Sequence, residues 1–287
     1  MRFVVVGDCL LDVTVAPSGP IRPGADAPAG IELGPGGQAA NVAVRLARQG
    51  ASVRLVAPFA DDAAGRLLRE AMAAEPIELA ALAVERTGTV VALLEDGERA
   101  MLSQRAPFPA TTASTLAPAI ADAGWIHCSG YALLDAQADA LAATLAGRRA
   151  GARLSVGGCA VPSENLARFR DRLIVTSPDL LVLNRVEAAA LGPGFSMVVT
   201  AARGSSATVG SLKIREAAPA GPAVDTTGAG DAYAAGLIRS LAERAWPPNE
   251  AQLRDAMRAG AALADLVAGA VGAQARVAGE RNHVSLT

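Results

Sequence analysis

RFVVVGD, residues 2–8, is the stretch on which the fold turns. A β-branched apolar run closed by Gly7 reads as a buried strand. Working outward, NVAVRLARQG (41–50) has apolar residues at helical spacing and ends in Gly50, a C-terminal stop signal. SVRLVAPF (52–59) reads as a second strand, and DDAAGRLLREAMAA (61–74) as a second helix whose leading acids suit its N-terminus. Later, GWIHCSG (124–130) precedes a helix over 135–149, RLSVGG (153–158) one over 163–173, and DLLVLN (179–184) one over 185–191, while SMVVTA (196–201) leads into a turn. Beyond residue 227 the pattern is helical, over 231–243 and 249–268. Strand followed by helix, repeated, predicts an α/β fold with a mostly parallel sheet and helices on both faces.

Two segments break the rhythm. Residues 12–34 carry short apolar stretches, DVTVAP and GIEL, separated by a Pro- and Gly-rich run. TGTVVALLEDGERAMLSQR (87–105) reads as a hairpin turning at Asp96-Gly97. Both are expected in a small accessory sheet, a β-lid built from about 13–34 and 87–107 on one domain spanning 1–287.

The chain has 287 residues, half of them apolar but only 3% aromatic, so its core is built largely of Ala, Val and Leu. Net charge is −2, with Lys213 the only lysine, and no basic block appears that would neutralise a run of phosphates; a nucleic-acid partner is disfavoured. Cys9, Cys128 and Cys159 stand far apart with no CxxC spacing and read as small buried hydrophobes in a reducing compartment. MRFVVVGD is too short and too early in acid for a signal peptide. The longest charge-free run, 106–121, holds three prolines. No membrane span and a cytoplasmic location are the expectation.

The chemistry concentrates in VDTTGAGDAYAAGL, residues 224–237. Gly228 and Gly230 permit a turn in which successive N–H groups converge, and the helix that follows adds the positive end of its dipole. That makes an anion hole suited to a phosphoryl group. Asp231 at its edge suits a proton acceptor for an attacking alcohol, and its pKa need not approach 7, because a loose transition state releases the hydroxyl proton late. GPGGQA (34–39) also fits the dinucleotide pattern G-x-G-x-x-A, but it lies in the accessory segment and not at the end of the first strand. No G-x-x-x-x-G-K-[ST] occurs.

Residues 224–237 resemble the C-terminal signature of the PfkB/ribokinase family of carbohydrate kinases. GPGGQAANVAVRLARQG (34–50) is similar to that family's N-terminal GGxxxN signature, GDCLLD (7–12) to its first-strand pattern, and LNRVEA (183–188) to its NxxE. Taken singly, Asp12 could cap or pair, Asn41 could cap a helix, and Glu187 could be a surface acid; four motifs in one order, over residues 7 to 237, carry the resemblance. It implies a ribokinase-like three-layer fold and ATP- and Mg²⁺-dependent phosphorylation of a hydroxyl, a primary hydroxymethyl, on a small sugar or sugar acid.

Residue by residue, the resemblance implies that Asp12, Gly36, Gly37 and Asn41 hold the acceptor. It makes Asp231 the base, with the amides of Gly228, Ala229, Gly230 and Asp231 around the phosphoryl group. Asn184 and Glu187 would organise Mg²⁺ and the phosphates, directly or through water. Thr200, Arg203 and Gly204 fall where the family shapes its nucleotide pocket, although VTAARGSSA (199–207) departs from the usual T-x-G-x-x-G. Likewise SVGGCA (155–160) stands where Asp-Pro is frequent, and RAPF (105–108) where Arg-Gly-Ala-Asn is usual. Asp225 and Thr227 would seat a monovalent cation such as K⁺.

Arg99 and Arg105 are candidates to meet a phosphate or carboxylate on the substrate. His127 and Tyr131, in HCSGY, are candidates for the sugar pocket or the core. The lid segments contain no aromatic platform for a nucleobase, which favours a monosaccharide or sugar acid. A nucleoside kinase, or a weakened sugar-binding regulator, stands as the alternative. Exposed lid edges predict a homodimer.

Overall fold

A computed structural model describes residues 1–95, 98–109, 112–218, 223–270 and 272–280. The chain opens with β1 (Arg2–Val6), β2 (Leu10–Pro17) and β3 (Ala29–Gly36), then α1 (Gln38–Arg48), β4 (Ser52–Phe59), α2 (Ala63–Ala73) and β5 (Ile77–Ala83). It continues through β6 (Thr89–Glu95), β7 (Glu98–Gln104), α3 (Thr112–Ile120), β8 (Trp125–Cys128), α4 (Gly130–Leu134), α5 (Ala138–Ala146) and β9 (Arg153–Gly157). A 3-10 turn at Ser163–Asn165 leads into α6 (Leu166–Thr176), β10 (Leu180–Asn184), α7 (Arg185–Leu191), β11 (Met197–Ala201), β12 (Gly204–Val209), β13 (Leu212–Ala217), α8 (Ala229–Leu241) and α9 (Glu250–Ala268).

The main sheet runs β13-β12-β11-β10-β9-β8-β1-β4-β5 and is parallel from β11 to β5. Its central strands are apolar on both sides because each side is covered. Phe3, Val5, Leu55 and Val182 face the core under α1, α8 and α9, whereas Val4, Val6, Val56 and Leu183 face the core under the helices between β7 and β11. This is the expected three-layer ribokinase-like arrangement. The chain adds strands on one side of β1 and then returns to build the other. A crevice therefore opens at the strands' C-terminal ends beside β1, where ligands of such sheets bind.

The four-stranded lid has the order β3-β2-β6-β7. It starts earlier than the sequence implied, because β2 leaves the β1 turn already extended at Leu10. The Asp96-Gly97 tip lies outside the described residues, as does the Arg99 side chain.

Three other elements differ from expectation. The helix expected over 135–149 is shorter, α5 alone at Ala138–Ala146, and a separate short helix, α4, precedes it; between them the Asp135 carboxylate accepts the Gln137 N–H at 2.8 Å in an Asx turn. Residues 204–217 form the antiparallel hairpin β12–β13, whose short polar alternation gives little periodic signal. Asn41 does not cap α1, which begins three residues earlier with Gly37 as its N-cap. All three cysteines are buried, and desolvation pushes their thiols well up, which fits inert core residues. No helix among the described residues is long and apolar enough to cross a membrane.

Candidate active site

Residues 226–231 turn the chain into α8. Gly228, the N-cap, has φ 77°, and a Cβ there would stand 2.7 Å from the Ala273 Cβ, so both backbone and space demand glycine. The Ala229 N–H closes the turn onto the Thr226 carbonyl at 3.2 Å. That amide is occupied, which corrects the expectation that it joins the anion hole. The N–H groups of Gly230 and Asp231 donate to no protein acceptor among the described residues, and open space lies beside Gly230. Two unpaired donors at the start of a 13-residue helix are what an anion requires.

The Asp231 carboxyl lies across from Asn41, whose Nδ2 donates to Oδ2 at 2.8 Å. Desolvation is the main cause that pushes its pKa up to about 7. The charges of Asp8 and Asp12 add to the rise, while the Asn41 hydrogen bond and the Arg45 guanidinium oppose it. Asp12 lies against the glycine pair, since a Cβ on Gly36 would meet its Oδ2 at 2.0 Å. Gly37, at φ 98°, lets the backbone pass the Asp8 carbonyl.

Arg105 comes from the end of the lid and pairs with the buried Asp8 carboxylate, its guanidinium stacked 3.5 Å from the Tyr131 ring centre. Its charge is thus met within the protein, which corrects its reading as a free counter-ion for an anionic acceptor.

A cavity of about 120 Å³ joins Asp231 and Gly230 to Glu187 on α7 and to Asn184 and Thr200 on the ends of β10 and β11. Asn184 caps α7 and Glu187 completes a capping box: Asn184 Oδ1 accepts the Glu187 N–H at 2.9 Å and Glu187 Oε2 accepts the Asn184 N–H at 2.7 Å. Glu187 Oε1 accepts from no protein donor among the described residues, and burial raises the pKa of this carboxyl. One desolvated carboxylate oxygen facing a polar cavity fits a largely hydrated Mg²⁺.

The Gly-Gly at 157–158 now has a reason. A Cβ on Gly158 would lie 2.0 Å from Glu187 Oε2, so only glycine lets this acid fold inward. His127 also lines the cavity, its Nδ1 2.8 Å from Ser155 Oγ and its pKa lowered by burial to about 4.

Other expected residues fall elsewhere. Arg203 lies in the β11–β12 turn and Gly204 opens β12, and neither lines this cavity. Both Asp225 carboxylate oxygens accept from the protein: Oδ1 from the Thr227 N–H and hydroxyl, Oδ2 from the Gly272 N–H. That geometry is a clasp between two loops.

Three functional neighbours were not singled out by the sequence. Asp8 sits inside a recognised motif without a marked role. Gln38 staples α1 to the strand ends by donating to the Gly158 carbonyl at 2.7 Å and accepting the Gly130 N–H at 3.1 Å. Gln274 donates to Asn41 Oδ1 at 3.0 Å. All three act through contacts remote in sequence, which no local pattern reports.

Comparison with known proteins gives a consistent result. The sequence pattern described as pfkB family carbohydrate kinase matches residues 2–193 and 196–278. A fructokinase from Klebsiella pneumoniae is similar at 31% identity over 248 residues, covering 76% of this chain and 80% of that protein. Among solved structures, a carbohydrate kinase from Agrobacterium tumefaciens is similar at 26% identity and TM-score 0.75, covering 95% of this chain and 92% of that one. An uncharacterized sugar kinase from Pyrococcus horikoshii in complex with ATP shares the fold at 17% identity and TM-score 0.80, over 96% of this chain and 94% of that one. With a family match that runs through Asp12, Asn41, Glu187 and Asp231 alike, the chain belongs to the pfkB family of carbohydrate kinases.

Proposed function

We propose that the protein transfers the γ-phosphoryl group of ATP to a hydroxymethyl group of a small neutral monosaccharide, of the kind fructose represents. One observation carries this reading: the Asp231 carboxyl, the unpaired Gly230 and Asp231 amides and the Glu187 carboxyl belong to one cavity. Asp12, Asn41 and the backbone at Gly36–Gly37 orient the acceptor. Its attacking oxygen forms the new P–O bond as the bond to the ADP oxygen breaks. The hydroxyl proton passes late to Asp231, and the two amides hold the equatorial phosphoryl oxygens. Glu187 and Asn184 would hold Mg²⁺ through water, which would supply charge neutralisation on the phosphates.

The site's charge favours a neutral acceptor. Asp8, Asp12 and Asp231 are three carboxyls around it, and Arg105 is already paired with Asp8, so a sugar acid meets uncompensated negative charge. A nucleobase has no platform at Tyr131, whose ring is covered by Arg105. The similarity to a fructokinase points the same way.

The lid, as part of one catalytic domain, is proposed to dimerise through its outer face, where Val13, Val15, Ile31, Val91 and Leu102 fall in register. Ile31 and Leu102 are more than 60% exposed.

The test is ADP release over a panel of sugars, sugar acids and nucleosides with the parent protein and Asp231→Asn. The Asn variant is expected to lose turnover by about 10³-fold or more while binding sugar with similar affinity by calorimetry. Turnover within a few-fold of the parent would refute Asp231 as the base.

A further inference from the structure

We infer that Gln274 is a positioning residue, which holds the Asn41 side-chain amide so that Asn41 donates to, and does not accept from, the Asp231 carboxyl. This rests on the reading of Asp231 as the base. The two ends of an asparagine amide are almost the same shape, so its partners alone decide which end faces a neighbour. Here Gln274 Nε2 donates to Asn41 Oδ1 at 3.0 Å and Asn41 Nδ2 donates to Asp231 Oδ2 at 2.8 Å. Reversal of the Asn41 amide would set an acceptor against a carboxylate and leave Gln274 facing another donor.

Gln274 lies in a stretch without helix or strand, yet its backbone is fixed from two sides. Arg45 donates to the carbonyls of Ala273 and Ala275 at 2.6 and 2.8 Å, and Arg48 to the Gln274 carbonyl at 2.8 Å. Both arginines are buried and both stand on α1, the helix that carries Asn41 one turn earlier. Asp225, on the loop that enters α8, holds the Gly272 N–H at 2.9 Å. The donor and the amide it orients are therefore referenced to one rigid helix, and the base to the same segment through the α8 loop.

The other charged groups near Asp231 are Asp8, Asp12 and Arg45, with Glu187 and His127 across the cavity. None of them bonds to the Gln274 side chain, so substitution there leaves them in place. Gln274→Met keeps the volume and removes the hydrogen bond. Gln274→Glu keeps the shape but, once ionised, accepts from Asn41 and inverts the chain.

The parent's kcat/KM should fall on the acid side as Asp231 takes up its proton. In Gln274→Met that acid limb should move to higher pH by about half a unit or more, and further in Gln274→Glu. The loss should therefore be largest near about pH 6 and fade by about pH 9, with KM for ATP unchanged. A packing fault would not recover with alkali. An unmoved acid limb in Gln274→Met, or a loss independent of pH, would overturn the inference. If Asp231→Asn is inactive in the same assay, only the role of Gln274 falls; if Asp231→Asn turns over, the assignment of the base falls first.

Discussion

The Asp231 carboxyl combines a half-buried, desolvated position with two neighbouring acids, and a pKa pushed up to about 7 has a consequence for stability as well as rate. An unfolded Asp titrates near about 3.9, so between about pH 4 and 7 the folded chain retains a proton that the unfolded chain has lost. The resulting stabilisation is full below the unfolded value and disappears as the pH climbs through 7. Asp231→Asn removes the ionised, desolvated form altogether. The variant should melt above the parent at pH 8, and the gap should close towards pH 4 in calorimetric scans across that range. Equal melting at pH 8 would mean that the carboxylate is not desolvated. Gly158→Ala is a second residue-scale case, because the added Cβ meets Glu187 Oε2 at 2.0 Å and must displace it. The expected result is a several-fold higher Mg²⁺ requirement for turnover with KM for the sugar unchanged.

At the scale of elements, the lid has two faces of different character. Asp12, Thr14, Glu32, Leu33, Val90 and Met101 line a cleft of about 1020 Å³ beneath it, while Val13, Val15, Ile31, Val91 and Leu102 are absent from that lining and fall in register on the other side of the pleat. Ile31→Glu puts a charge on that outer face and should convert a dimer to a monomer in sedimentation velocity, with folding intact by circular dichroism. A parent that sediments as a monomer would remove the proposed interface. The same alternation explains what was legible beforehand. α7 and α9 were readable almost to the residue because Asn184 with Glu187 and Asn249 with Gln252 are reciprocal caps written in adjacent sequence. β12–β13 was not, since its burial is set by Tyr233 and by α9 packing from far along the chain. In the site, Asp231 was visible because glycines mark it, and Asn41 and Glu187 because their motifs resemble the family's signatures. The pairing of Arg105 with Asp8 and the Gln274 contact exist only after the chain closes on itself.

For the molecule as a whole, the segment 272–280 is a strap across α1, and charge more than apolar burial fixes it there. Arg45 pairs with Glu280 at 2.7 Å, and Arg48 with Glu75 at 2.6 Å and Glu280 at 3.3 Å, every partner less than 10% exposed. Removing one member of such a buried set leaves a guanidinium short of its counter-charge, which typically costs about 3–5 kcal/mol. Arg45 and Arg48 keep their carbonyl partners, so the lower end of that range applies to Glu280→Ala. For a chain of this size that is a fall in Tm of roughly 5–10 °C. Glu280→Gln, which retains an acceptor, should fall less. Glu243→Ala, which removes only the exposed pair with Arg239, should leave Tm unchanged. Because the buried set is shielded from solvent ions, the Glu280→Ala deficit should persist from low to high salt. Thermal melts of the three variants at two ionic strengths decide the matter: a Glu280→Ala protein that melts with the parent, or whose deficit vanishes in salt, would mean that the strap is held by something other than its buried charges.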